Sequence, residues 1–84
     1  MTPSEFADSI YAYCQTFNAS VTSWGRTPKH NTAVGGIPES HHVRWLAADV
    51  VYDAPVPLEK RRLRAAQLGL FVWPENDHDH VRAA

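Results

Sequence analysis

The placement of the histidines is the feature that most constrains how this chain folds. Four of the five lie in two short clusters, Ser40-His41-His42 with Asp49 beyond it, and Asp77-His78-Asp79-His80. Neutral imidazole and carboxylate are ligands that suit Zn²⁺, and a catalytic zinc usually takes three protein ligands and leaves one position for water. His42, Asp49 and His80 would supply that set, with His41 as the alternative to His42. The fold must then bring two distant segments together.

Length and charge limit the other possibilities. At 84 residues with 44% hydrophobic residues, we expect one folded domain over residues 1–84 with a thin core, which a bound metal would help to stabilise. A net charge of -1 gives no electrostatic footprint for nucleic acid or an anionic membrane, so we expect neither as a partner. Cys14 is the single cysteine, which excludes an internal disulfide and a CxxC zinc ribbon.

The sequence also carries no recognisable targeting segment. No stretch has the length and hydrophobicity of a transmembrane helix, and the N-terminus lacks the basic start and apolar run of a signal peptide. We therefore expect synthesis in the cytoplasm without a leader. We also expect a monomer.

Local patterns predict the secondary structure. Thr2-Pro3-Ser4-Glu5 is a capping box with proline at the first helical position, and an apolar stripe follows to Phe17. The patterns predict helices over about 3–17 and 57–68, a possible helical turn over 29–34, and strands over 20–24, 46–52, 70–73 and 78–82. In the second helix, Leu58, Leu63, Ala66 and Leu70 are expected on the apolar side, and Lys60, Arg61, Arg62 and Arg64 on a solvated face.

Strand periodicity tests the metal hypothesis. Asp49 is the one carboxylate in an apolar strand, so it must be exposed, hydrogen-bonded or bound to a cation. It lies an odd number of positions after His42, so both reach one ion only if the chain turns near residues 43–45. His78 and His80 share a strand face and Asp79 points away. Asp77, at the end of the turn, could reach a zinc-bound water without binding the metal.

Several motifs together resemble a known family. They are Ser23-Trp24-Gly25-Arg26-Thr27-Pro28, Asn31, Val34-Gly35-Gly36, Ser40-x-His42-x-x-Trp45-x-Ala47-x-Asp49 and Asp77-x-x-His80. This series, over roughly residues 20–82, resembles the zinc D-Ala-D-Ala peptidases of the peptidase M15 family, which include bacteriophage endolysins that degrade cell-wall peptides, and the related hedgehog domain. The resemblance implies a small α+β, hedgehog/DD-peptidase-like domain whose antiparallel sheet, with flanking helices, carries the ligands.

The resemblance also implies an activity and residue roles. It implies a Zn²⁺-dependent metallopeptidase that hydrolyses peptidoglycan stem peptides, as a D,D-carboxypeptidase or an L-Ala-D-Glu endopeptidase, and acts on the bacterial cell wall if it is an endolysin. His42, Asp49 and His80 would hold zinc, and Asp77 would be the general base. Arg26 would bind the substrate or the developing oxyanion, and Ser40 would support substrate binding at the site by hydrogen bonding. His78 would stabilise the transition state.

Alternatives accompany these roles. Glu75 could replace Asp77 as the base, and Arg26 could instead pair with Glu39. A catalytically silent, zinc-stabilised binding module of the same fold is the alternative function, and a calcium site at Asp77 and Asp79 is disfavoured because histidines interrupt it.

One of the three tryptophans departs from the family motif. Trp45 stands where the family motif has glycine, so either the turn accepts a side chain in an ordinary conformation or the chain takes a different path. Trp24, Trp45 and Trp73 are expected in the core or the cleft wall rather than as sugar platforms.

Overall fold

The computed structural model describes residues 1–25, 33–35 and 44–84. Its elements are α1 (Pro3–Phe17), β1 (Ala19–Ser23), β2 (Ala47–Tyr52), α2 (Leu58–Gln67), β3 (Leu70–Pro74) and β4 (Asp79–Ala83). In the described residues the strands form one antiparallel sheet in the order β1-β2-β4-β3. The predicted α+β class is confirmed, and these elements differ from the predicted ones only at their ends. Most of the possible helical turn over 29–34 lies outside the described residues.

The ends of α1 follow from local chemistry. The Thr2 hydroxyl accepts a hydrogen bond from the Glu5 amide at 3.1 Å, and the Glu5 carboxylate accepts one from the Thr2 amide at 2.8 Å. These hydrogen bonds lower the pKa of Glu5, as expected for a carboxylate stabilised by a capping box. The helix stops at Asn18, which has a left-handed backbone conformation that asparagine accepts readily.

The sheet has two chemically different sides. Alternate residues of β4 are buried, and the same alternation in β2 and β3 directs Val50 and Val72 to the side covered by the helices. The core on that side contains Phe6, Ile10, Tyr13, Ala48, Val50, Ala65, Leu70, Val72, Val81 and Ala83. We call the opposite side, which carries Asp49, His80, Phe71, Trp73 and Arg82, the site face.

Helix α2 is rotated relative to the orientation that its sequence pattern predicts. Leu63, expected on the apolar side, is 63% exposed, whereas Ala65 is buried. The side chain of Arg61, expected on the solvated face, is only 17% exposed. It is drawn inward because its guanidinium pairs with the buried carboxylate of Asp79. That attraction depends on a distant strand, so helical periodicity does not contain it.

Among the described residues, no helix combines the length and the apolar character needed to cross a membrane.

Candidate active site

Asp49 and His80 lie side by side on neighbouring strands. They are directly opposite each other in the register of β2 and β4. Asp49 Oδ1 lies 3.5 Å from His80 Nδ1, and the two side chains are 25% and 27% exposed. Antiparallel pairing therefore brings one residue of each sequence cluster together on a partly open surface.

A β-bulge in β1 sets the register beside this pair. Val21 pairs with Val50 and Ser23 pairs with Asp49, so Thr22 is the extra residue. Bulges are common next to functional sites because they re-aim side chains and increase the local twist. Here the bulge places Ser23, rather than Thr22, opposite Asp49.

His78, the residue before β4, approaches the same carboxylate. Its Nε2 lies 3.8 Å from Asp49 Oδ1, and its Nδ1 donates a hydrogen bond to Asp77 Oδ1 at 2.7 Å. His78 and His80 thus share one side, as their spacing predicts. The hydrogen bond to Asp77 raises the pKa of His78, with smaller contributions from the charges of Asp49 and Glu75, and His78 in turn lowers the pKa of Asp77.

The spacing of these atoms suits a shared metal ion. Two ligand atoms that each lie about 2.0–2.2 Å from a tetrahedral zinc are roughly 3.3–3.6 Å apart. The 3.5 Å between Asp49 Oδ1 and His80 Nδ1 matches that separation, and oxygen with imidazole nitrogen is a donor set that zinc accepts. Within residues 1–25, 33–35 and 44–84, no group of three His, Cys, Asp or Glu side chains is arranged to hold a metal ion. His42 lies outside those ranges.

Comparison with known proteins identifies the family. The family model described as Peptidase M15 matches residues 6–81, which is nearly the whole chain. The chain belongs to the peptidase M15 family. No curated protein and no solved structure matches it. Membership of this family supports a peptidase role, and the α+β fold of the described residues is consistent with it.

Three of the predicted site residues of this M15 peptidase lie outside the described residues. They are Arg26, Ser40 and His42. His41, the alternative to His42, and Glu39, the alternative partner of Arg26, lie outside them as well. The zinc-binding role of His42 and the substrate-binding roles of Arg26 and Ser40 remain predictions.

Trp45 has a backbone conformation that glycine adopts more readily than a residue with a side chain. Its φ is 61°, in the left-handed region, so the first of the two alternatives, a side chain in an ordinary conformation, is wrong. The Trp45 carbonyl accepts a hydrogen bond from Trp24 Nε1 at 3.2 Å, and the two rings pack edge to face with centroids 6.1 Å apart. The Trp45 indole covers Gly25 so closely that an added Cβ there would overlap the ring. These contacts offset the strain of a left-handed tryptophan.

Asp79 points away from the site, as its spacing predicts, and is 3% exposed. Arg61 Nη1 donates to both of its carboxylate oxygens at 2.8 and 2.6 Å, and the Tyr52 hydroxyl donates to Oδ2 at 2.6 Å. The Tyr13 hydroxyl lies 2.6 Å from that of Tyr52 and donates to it, because the Tyr52 proton is directed at Asp79. Asp79 and Asp77 thus have different partners, which contradicts a shared calcium site.

Sequence reasoning missed the partners of Asp79, although a signal was present. Asp79 alternates with Val81 and Ala83 on the inward side of its strand. A carboxylate in such a position requires a cation and hydrogen-bond donors. The arginine-rich helix was the available source of that cation.

A cavity of about 530 Å³ opens beside the turn between β3 and β4. The residues around it come from the end of β2, the loop that follows it, Arg61 and the segment 74–79. Asp77 and His78 lie on its wall. The cavity offers space for a ligand next to these two side chains.

Proposed function

We propose that this chain is a zinc-dependent peptidase that hydrolyses peptidoglycan stem peptides, as a D,D-carboxypeptidase or an L-Ala-D-Glu endopeptidase. The observation that carries the proposal is the Asp49–His80 pair, whose facing atoms are separated as two ligands of one zinc would be. Membership of the M15 family supports the peptidase activity. In this proposal His42 completes the ligand set and the protein acts on the bacterial cell wall, as a phage endolysin does.

The roles of the neighbouring residues follow from their chemistry. A bound zinc would acidify a water molecule and polarise the scissile carbonyl. In the proposed reaction Asp77 accepts the proton of the attacking water and returns it to the nitrogen of the leaving amine as the C–N bond breaks. The lowered pKa of Asp77 supports an ionised carboxylate at neutral pH. Arg26 and His78 would stabilise the negative charge on the carbonyl oxygen.

One observation favours the catalytically silent module as a second candidate. The Asp77 side chain is 90% exposed, and its carboxylate is hydrogen-bonded to His78. A general base must lie within hydrogen-bond reach of the proton that it removes. In the peptidase Asp77 must turn toward the water, whereas in the silent module it would only orient His78.

Hydrolysis of purified peptidoglycan with and without a chelator tests the proposal. We expect a chelator to abolish the release of new amino groups and added Zn²⁺ to restore it. Asp77→Ala should lower turnover by roughly 10²–10⁴-fold, the usual contribution of a general base. Asp8→Ala, at an exposed acidic position on α1, is the matched control and should keep full activity.

The outcomes separate the two candidates. Mass spectrometry of the products identifies the bond that is cut, by release of D-Ala or exposure of a D-Glu amine. Activity that survives complete removal of metal would contradict the zinc mechanism. A thermal unfolding midpoint that rises with Zn²⁺, together with no turnover of any wall fragment, would favour the silent module.

A further inference from the structure

Two aromatic side chains stand exposed on the site face. Phe71 is 40% exposed and Trp73 is 56% exposed, although both belong to a regular strand. Their rings are nearly parallel, with an interplanar angle of 22° and centroids 6.4 Å apart. Leu70 and Val72, which alternate with them in β3, are buried in the core. Trp73 is therefore not a core residue, and the pair presents an apolar surface to solvent.

This aromatic surface continues directly from the candidate active site. Trp73 lies opposite His80 in the register of β3 and β4, and Phe71 lies opposite Arg82. Arg82 is two residues beyond His80, so both side chains stand on the same side of the strand, about 6.6 Å apart along it. A peptide that is bound at the Asp49–His80 pair and runs along β4 toward Arg82 lies over these residues.

Arg82 is positioned on this surface by its aromatic neighbour. Its guanidinium carbon lies 4.7 Å from the centroid of the Phe71 ring, and Nη1 donates a hydrogen bond to the Ala83 carbonyl at 3.0 Å. Among the described residues, no carboxylate forms an ion pair with Arg82. A guanidinium has five donors and suits planar, two-point recognition of a carboxylate. Stacking on Phe71 restricts its orientation, which lowers the entropy cost of binding an anion.

We propose that Arg82, stacked on Phe71 and flanked by Trp73, forms a subsite for a carboxylate of the peptide substrate close to the scissile bond. The inference rests on the proposed function and adds a specificity determinant separate from Arg26. One extended residue spans about 3.3–3.6 Å. A substrate carboxylate bound at Arg82 therefore lies within about two residues of a scissile carbonyl placed beside His80. Stem peptides carry such carboxylates on the D-Glu residue and at the D-Ala terminus.

The test compares binding of three forms of one stem peptide. The probes are L-Ala-γ-D-Glu-L-Lys-D-Ala-D-Ala, its C-terminal amide, and its D-isoglutamine form. Affinities are measured by NMR titration of the zinc-loaded protein at low temperature, and KM and kcat from initial rates of cleavage. One of the two amidations should weaken binding to the wild type by about tenfold or more, the effect expected for a lost charge-assisted hydrogen bond.

Variants locate that effect at Arg82. Arg82→Gln should bind the acid and amide forms equally, with KM raised and kcat little changed, and Arg82→Lys should retain part of the preference. Trp73→Ala should raise KM for all three peptides. Arg62→Gln and Tyr11→Ala, at exposed positions on the two helices, are the matched controls. Circular dichroism verifies that each variant is folded.

Two results would overturn the inference. In one, Arg82→Gln keeps the full preference for the acid form; in the other, neither amidation weakens binding to a wild-type protein that binds and cleaves the peptide. Both leave the proposed function intact. A wild-type protein that neither binds nor cleaves any of the three peptides refutes the proposed substrate class, and this inference with it.

Discussion

Replacement of Arg61 by methionine should destabilise the protein far more than an ordinary change in a charged helix residue. Asp79 is 3% exposed, and both of its carboxylate oxygens accept hydrogen bonds from Arg61 Nη1. Arg61 Nε also donates to the Val56 carbonyl at 3.0 Å. In Arg61→Met the Asp79 carboxylate keeps the Tyr52 hydroxyl as a donor but loses its counter-charge. A buried charge left without its partner typically costs about 3–5 kcal/mol.

That cost is large for a chain of this size. At about 0.05–0.15 kcal/mol per residue, 84 residues have a free energy of unfolding of roughly 4–13 kcal/mol. A loss of about 3–5 kcal/mol lowers the unfolding midpoint by roughly 12–40 °C, at about 4–8 °C per kcal/mol for a domain of this length. With a wild-type free energy of unfolding at the lower end of its range, Arg61→Met is close to unfolded at 37 °C, and at the upper end it stays folded with a lower unfolding midpoint.

Urea denaturation followed by tryptophan fluorescence measures this free energy. Arg62→Met, at the neighbouring exposed position of α2, is the matched control and should change it by less than about 0.5 kcal/mol. The double variant Arg61→Met/Asp79→Leu removes both charges and should recover most of the loss, because an apolar pair has no desolvation cost. If Arg61→Met alone lowers the free energy of unfolding by less than about 1 kcal/mol, Asp79 is not a buried carboxylate that depends on Arg61 as its counter-charge.

Three further predictions concern the turn, the tyrosines and the site. Gly25→Ala should destabilise the protein because its methyl group overlaps the Trp45 indole, and Trp45→Gly should remove that penalty, which a double-mutant cycle in urea measures. Burial raises the pKa of Tyr13 to about 12, so the folded state keeps a proton that the unfolded state loses near pH 10. The free energy of unfolding should fall as pH rises from 10 to 12, and Tyr13→Phe should reduce that slope, as alkaline urea titrations will show. Asp77→Asn should shift the pKa of His78 down toward its ordinary value, as followed by NMR of the imidazole protons, and an unchanged titration would exclude the hydrogen bond between them.

Much of the local structure could be predicted from the sequence because its causes are local. The capping box of Thr2 and Glu5 starts α1 where predicted, and period-two alternation places Asp79 opposite in direction to His78 and His80. From the sequence, the contact between Asp49 and His80 across neighbouring strands could be predicted only because both are expected to bind one metal ion. The register that achieves it depends on the pairing of β2 with β4, and the bulge at Thr22 decides only which residue of β1 lies opposite Asp49.

The sequence by itself determined the helices and strands and membership of the M15 family. It also determined that His78 and His80 lie on one side of the sheet and Asp79 on the other. Tertiary structure decided what each polar side chain contacts. Arg61 turns into the core because Asp79 is there. Trp45 adopts a left-handed backbone where Trp24 donates a hydrogen bond to its carbonyl and Gly25 leaves space for its indole. Trp73 stands beside His80 because β3 pairs with β4. Periodicity reports which side a residue faces, whereas burial of charge and cross-strand contact depend on segments far apart in the chain.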